Sequence, residues 1–350
     1  MIELWFALLT FLIVVFVVLD GWDFGAGALH LIVARTPAER REVVAALGPL
    51  WSWHEVWLLA AGGTFLLAFP KVMAVSFAGF YLALWMVLWA LLLRGIALEV
   101  GGHLRDPMWQ AWWDVVFAVA STTLAVLFGA ALGNVIRGVP LDASGGFSMP
   151  LFTDFRARGA VGILDWYTVS VAVFTTVLLA AHGATYLVLK TSGAVHARSR
   201  QGARWLWIAV LILFPLISLA TAAVRPDLFG AMASRPLAWV AIAVLAAGAW
   251  ALWSGVRTAQ EMRAFAGSCA IVVGLLAGAA VALFPVFLHS TLNPEYSLTA
   301  YNGAAAPRGF VIALFWWPVA VALAFIYSVV VIRNYRGKVR PAAMPNEPHR

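Results

Sequence analysis

Charge is scarce in this sequence: 11% of its 350 residues are Asp, Glu, Lys or Arg, against a hydrophobic share of 63%. Soluble domains carry roughly 25% charged residues, so a water-soluble globular fold is excluded and lipid is the solvent for most of the chain. Cysteine is nearly absent. The single Cys269 excludes an intrachain disulfide and a C-x-x-C-H haem attachment, and its place in an apolar run reads as inert packing. No H-E-x-x-H zinc pattern occurs, because His54-Glu55 has no second histidine one turn on. Facing His or Met pairs, which haem ligation needs, are not in the pattern either. The first segment lacks the basic opening and small-residue cleavage site of a secretory signal. It begins Met1-Ile2-Glu3 and runs into Asp20-Gly21-Trp22-Asp23, which predicts a retained first span. The net charge of +7 comes without the basic stripe and interleaved aromatics of nucleic-acid binders, so no nucleic-acid partner is expected.

What is present is apolar length. Runs at 2–33, 49–69, 72–98, 111–135, 161–189, 204–224, 236–256, 264–288 and 309–332, punctuated by Gly, Pro and charge, each supply the roughly 20 residues that cross a bilayer core of about 30 Å. Helices satisfy their own backbone in hydrocarbon, so the expected fold class is all-α, a polytopic membrane protein of about nine transmembrane helices. Residues 1–333 read as one helical domain and 334–350, with Pro341, Pro345 and Pro348, as a solvated cytoplasmic tail. With the amino terminus outside, inward loops and tail hold 16 of the 23 Lys and Arg, Arg94 among them, and the outward side 7, Arg137 among them. The positive-inside rule therefore predicts amino terminus out and carboxyl terminus in. Many of the 18 tryptophans, including Trp51, Trp53, Trp109, Trp112 and Trp113, fall near span ends as interfacial anchors.

Ionisable residues inside spans cost about 2.5–3.5 kcal/mol each on insertion scales, so those present need a reason. Asp20, Asp23 and His30 lie on the first span, where 100° per residue places Asp23 and His30 within about 20° of each other and Asp20 about 60° away. Gly25 and Gly27 on that span permit close approach of another helix. The second span opens Trp51-Ser52-Trp53-His54-Glu55, with Trp51, His54 and Glu55 on one face. His182 lies eight residues before Lys190, roughly 12 Å along a helix. By the expected topology all of these fall in the cytoplasmic half. A one-sided set of acids and imidazoles is what proton uptake requires; helix-to-helix hydrogen bonding is the competing account. The Trp51, Trp53 and Trp57 cluster could flank a flat quinone ring, or serve as anchors.

The runs Asp20 to Gly27, Gly48-Pro49-Leu50-Trp51, Val56 to Gly63, Phe77 to Tyr81, His182 to Leu187, Phe284-Pro285 and Ser297-Leu298-Thr299 resemble subunit II of cytochrome bd-type quinol oxidases. The resemblance follows the whole length of the chain in order. It implies two four-helix bundles plus a peripheral helix, paired with a subunit I that holds haems b and d, and admits small accessory subunits. It implies a complex in a bacterial inner membrane that oxidises quinol and reduces dioxygen to water. In that complex this chain supports assembly, binds no haem itself, contributes cytoplasmic proton-pathway groups, with Asp20 and Asp23 matching the family and His54, Glu55 and His182 the further candidates here, and can hold a structural quinone beside Trp51. Many members follow that tryptophan with Asp-Gly-Asn, the aspartate serving proton transfer, whereas here Ser52-Trp53-His54 follows. A serine does not release a proton at neutral pH, so either Glu55 and His54 take over or the path differs. The alternative functional class is a proton-coupled secondary transporter, which would show inverted repeats about a midplane site; a purely structural scaffold is the third.

Overall fold

The computed structural model describes residues 1–48, 50–104, 106–157 and 159–339. The tail expected at 334–350 is described only as far as 339, and Pro341, Pro345 and Pro348 lie outside the described residues.

The helices in chain order are α1 (Ile2–Val33), α2 (Pro37–Leu47), α3 (Trp51–Ala68), α4 (Pro70–Gly79), α5 (Tyr81–Val100) and α6 (Pro107–Arg137), followed by α7 (Trp166–Lys190), α8 (Gly193–Val224), α9 (Asp227–Ser234), α10 (Pro236–Arg257), α11 (Glu261–Leu283) and α12 (Pro307–Asn334). Eight are long and apolar enough to cross a bilayer, and α3 with α4, bent by 116°, makes a ninth candidate. A two-stranded antiparallel ribbon, β1 (Val286–Leu288) with β2 (Leu298–Thr299), precedes α12.

Several expected span boundaries move, α8 starting at Gly193 rather than 204 among them, and three of the changes have a local cause. The run 72–98 is two helices parted at Phe80, and its first turns belong to α4, which Pro70 opens. Proline suits a first helical position because it has no N–H to lose, and continuous hydropathy hides the break. The run 264–288 stops at Leu283, where Phe284 adopts φ −51° and ψ 139°, the extended conformation that a following proline favours. The run 161–189 becomes helical only at Trp166, where Asp165 caps the helix and exchanges hydrogen bonds with Thr168.

Helices α1, α3, α5 and α6 pack as one group and α7, α8, α10 and α11 as another, joined where α7 crosses α1 and α6. That crossing is backbone to backbone. A Cβ on Gly25 would lie 1.8 Å from the Leu179 carbonyl, and one on Gly183 2.2 Å from the Ala26 nitrogen, so both positions require glycine. Helix α12 is peripheral. It leans on the first group through a 2.7 Å hydrogen bond from Trp53 Nε1 to Ser328 Oγ, a longer one from Trp317 to Thr64, and Trp5 stacked on Phe310. Trp53 is thus a buried tie rather than the interfacial anchor its position implied.

At the α6 end of the molecule Arg137, expected in an outward loop, is buried and paired with Asp165. It donates to Asn134 Oδ1 at 2.7 Å, while Asp165 also accepts from the Tyr167 and Thr168 amides. This set closes the junction between the two groups of helices at that end.

Candidate functional site

The densest collection of ionisable side chains lies where α1, α3 and α5 meet. Asp20 and Asp23, three residues apart, share a face of α1. Neighbouring residues on a helix diverge by about 100°, so at the start of α3 His54 and Glu55 reach different members of the cluster. His54 Nδ1 lies 2.8 Å from Asp23 Oδ2, and Glu55 Oε1 accepts from Arg94 Nη2 at 3.2 Å. The same Nη2 lies 2.8 Å from Asp20 Oδ1, and Nη1 lies 3.7 Å from Asp23 Oδ2. Asp20, Asp23, His54 and Arg94 are fully buried, whereas the Glu55 side chain is 27% exposed and gives the cluster its edge toward the outside. Arg94 also sits 4.8 Å over the Phe24 ring, and His54 meets Trp22 edge-on at 5.0 Å.

Arg94 is the member the sequence reading misplaced. Expected among the inward-loop charges, it lies six residues inside the end of α5 with no exposed surface. The signal was available: an arginine within an apolar helix carries the same insertion cost as the acids, and three acids without a cation leave the account incomplete.

Three carboxylates face one permanent cation. With all three ionised the set has two uncompensated negative charges in a low-dielectric interior, a costly state that protons on the set relieve. Asp20 Oδ2, Asp23 Oδ1, His54 Nε2 and Trp22 Nε1 are buried with no hydrogen-bond partner among the described residues, which leaves polar atoms available for exchange. Asp20, Asp23 and His54 could each offer one atom to a metal, all within 4.8 Å of one another. The Arg94 guanidinium already brings fixed positive charge to that place, so the set suits protons better than a divalent ion.

The remaining sequence-chosen residues lie elsewhere. His30 bonds Asp114 Oδ1 on α6 at 2.8 Å, and Arg40 Nη1 donates to Asp114 Oδ2 at 3.2 Å, a second cluster that Asp114, not singled out in the sequence, holds together. His182 faces the Val18 carbonyl with Nε2 at 3.0 Å and Ser268 Oγ with Nδ1 at 2.8 Å. A carbonyl only accepts, so Nε2 carries a hydrogen, and the ring joins α1, α7 and α11 while lying flat on Phe265. It reaches the acid cluster only through Trp22, whose ring centroid is 5.9 Å away. The Trp51 indole donates to Glu99 Oε1 at 3.1 Å and lies over Gly95, where a Cβ would sit 3.0 Å from the ring.

These features define a class: a polytopic, all-helical membrane protein whose first bundle buries an acid, imidazole and guanidinium set. Residues 1–335 match the family model described as cytochrome bd terminal oxidase subunit II. The chain belongs to that family, and is thereby one subunit of a bacterial respiratory terminal oxidase, an oxidoreductase complex. It is 30% identical to a probable cytochrome oxidase subunit 2 from Haemophilus influenzae, over 93% of this chain and 92% of the relative. It is 25% identical to the cytochrome bd-I ubiquinol oxidase subunit 2 of Escherichia coli K12, over 99% and 97%, and 28% identical to the cytochrome bd ubiquinol oxidase subunit 2 of Bacillus subtilis, over 87% and 86%. The solved bd oxidase of Geobacillus thermodenitrificans shares the fold, with a TM-score of 0.73 at 14% identity over 95% of this chain and 98% of that one. None of these likenesses supports the transporter alternative.

Proposed function

We propose that this chain is the non-haem subunit II of a complex that oxidises quinol and reduces dioxygen to water, and that its Arg94 cluster carries protons from the cytoplasmic side toward the haem-bearing partner. One observation supports the proton role above the others: Asp20, Asp23 and Glu55 converge on a single buried guanidinium while His54 bonds Asp23. Glu55, the exposed member, takes up the proton. Asp23 and His54, joined through Oδ2 and Nδ1, hold it inside, and Arg94, which stays charged, fixes the acids without titrating. Ser52 stands where many relatives have an aspartate, and Glu55 and His54 assume its role.

Haem in the partner would supply the electron transfer and oxygen chemistry. Of the buried histidines of this chain, His182 has both ring nitrogens engaged and does not fit as an axial ligand. His182 serves as a positioning residue behind Trp22. A quinone rests against the pinned indole of Trp51, and small accessory subunits can join the complex. The amino terminus faces outward, residues 1–333 form one membrane domain, and the tail 334–350 faces the cytoplasm of a cell whose inner membrane holds the complex.

Substituting Glu55→Gln or Asp23→Asn in the co-purified complex tests the proton role. The expected result is slowed quinol-dependent oxygen uptake with an unchanged haem spectrum. Normal uptake in both variants would reject it.

A further inference from the structure

A cavity of about 260 Å³ opens between α2, α5 and α6 on the side of the molecule where α5 ends and α6 begins. It is roughly nine times the volume that one water occupies in the liquid. Its charged lining is Arg40, Arg41 and Asp114. Asp114 is already engaged on both oxygens, by His30 and by Arg40, so its charge is satisfied within the wall. Arg41 forms no ion pair among the described residues, and Arg40 keeps a buried Nε without a partner there. The formal sum over the described lining residues is one positive charge.

The depth of the cavity narrows the choice of ligand. Trp113 lines it and meets Trp109 edge-on at 5.6 Å, and the adjacent Trp112 is 63% exposed. Tryptophans gathered in this way mark the headgroup level of a bilayer. On α5, which lines the cavity through Ala97, Leu93 and Ile96 are exposed apolar side chains within the preceding turn. A ligand that fits has one negative charge at one end and apolar chains at the other, and a phosphodiester supplies one charge where a phosphomonoester carries about 1.5 to 2.

We propose that this cavity binds the phosphodiester headgroup of an anionic phospholipid, with Arg40 and Arg41 holding the phosphate and the acyl chains running along α5. Guanidinium groups recognise phosphate oxygens through paired N–H donors, and basic pockets between helix ends are where such headgroups settle.

The test uses the assembled oxidase complex, stripped of lipid and placed in phosphatidylcholine nanodiscs with added phosphatidylglycerol, bound lipid being counted by native mass spectrometry. At about 1 kcal/mol per basic residue, Arg41→Gln is expected to weaken phosphatidylglycerol binding about fivefold and the Arg40→Gln/Arg41→Gln pair about 25-fold, while Arg41→Lys, which keeps the charge but not the paired donors, loses less than Arg41→Gln. Equal binding in wild type and both glutamine variants overturns the proposal, as does an Arg41→Lys loss equal to that of Arg41→Gln. Inorganic phosphate separates the sources: phosphate that displaces the lipid at millimolar concentration makes a soluble anion the ligand and removes the lipid assignment. Failure of phosphate to compete, with the lipid still charge-dependent, supports it.

Discussion

Replacing Arg94 with methionine removes the guanidinium from the cluster, with its contact over the Phe24 ring, and leaves an unbranched apolar side chain of similar length. Wild type holds three carboxylates and one guanidinium, a formal charge of minus two. Arg94→Met takes it to minus three at a position with no exposed surface. Stripping one partner from a buried ion pair costs about 3–5 kcal/mol because the other charge stays buried, equivalent to roughly two to four orders of magnitude in an equilibrium constant. The complex should therefore assemble poorly, read as haem absorbance per milligram of membrane protein after co-expression with the partner, and the solubilised remainder should melt early. Adding Asp20→Asn returns the formal charge to minus two, and the double variant should recover part of the yield, with a coupling of about 0.5–3 kcal/mol. Arg94→Lys should fall between, since one ammonium cannot span acids that the guanidinium meets through two separate nitrogens. An Arg94→Met complex with normal yield and melting, or a double variant no better than the single, would refute the charge-balance account.

The α1 to α7 crossing makes a steric prediction: Gly183→Ala forces its Cβ to 2.4 Å from the Gly25 carbonyl carbon, so assembled complex should be lost, whereas Gly202→Ala inside α8, with nothing within 4 Å, should leave assembly intact and raise stability by up to about 1 kcal/mol through helix propensity. Ser328→Ala leaves the buried Trp53 Nε1 without its acceptor, at a cost of about 1–3 kcal/mol, and proteolysis of the α12 connection should accelerate measurably. Trp51→Ala removes the indole pinned between Glu99 and Gly95; extracted quinone per complex should drop, and an unchanged quinone content would remove Trp51 from quinone binding.

Helix number and order were legible because hydropathy over 20 residues measures the property a bilayer selects for. The break at Phe80 was not, since α4 and α5 meet inside one uninterrupted apolar run with no polar residue or proline at the joint. Within one helix, spacing is geometry, so Asp20 and Asp23 were correctly placed on one face. His30 shows where that reasoning ends. It lies at nearly the angle of Asp23, but seven residues raise it by about 10.5 Å, enough to leave α5 and meet Asp114 on α6. Angle alone selects a face, and rise selects the partner.

Arg94 failed for a different reason, and it is instructive about reading membrane sequences. A topology count treats every basic residue near a span end as a loop charge, which holds only where the side chain can reach water. Arg94 has Asp20, Asp23 and Glu55 in reach instead, and acids inside a span are too costly to stand alone. The two observations needed each other: buried acids require a cation, and a cation six residues inside an apolar helix requires acids. Pairing such residues before counting charge would have removed Arg94 from the inner loops and Arg137, bound to Asp165, from the outer ones. One residue leaves each side, so the inward bias of Lys and Arg survives with both corrections made.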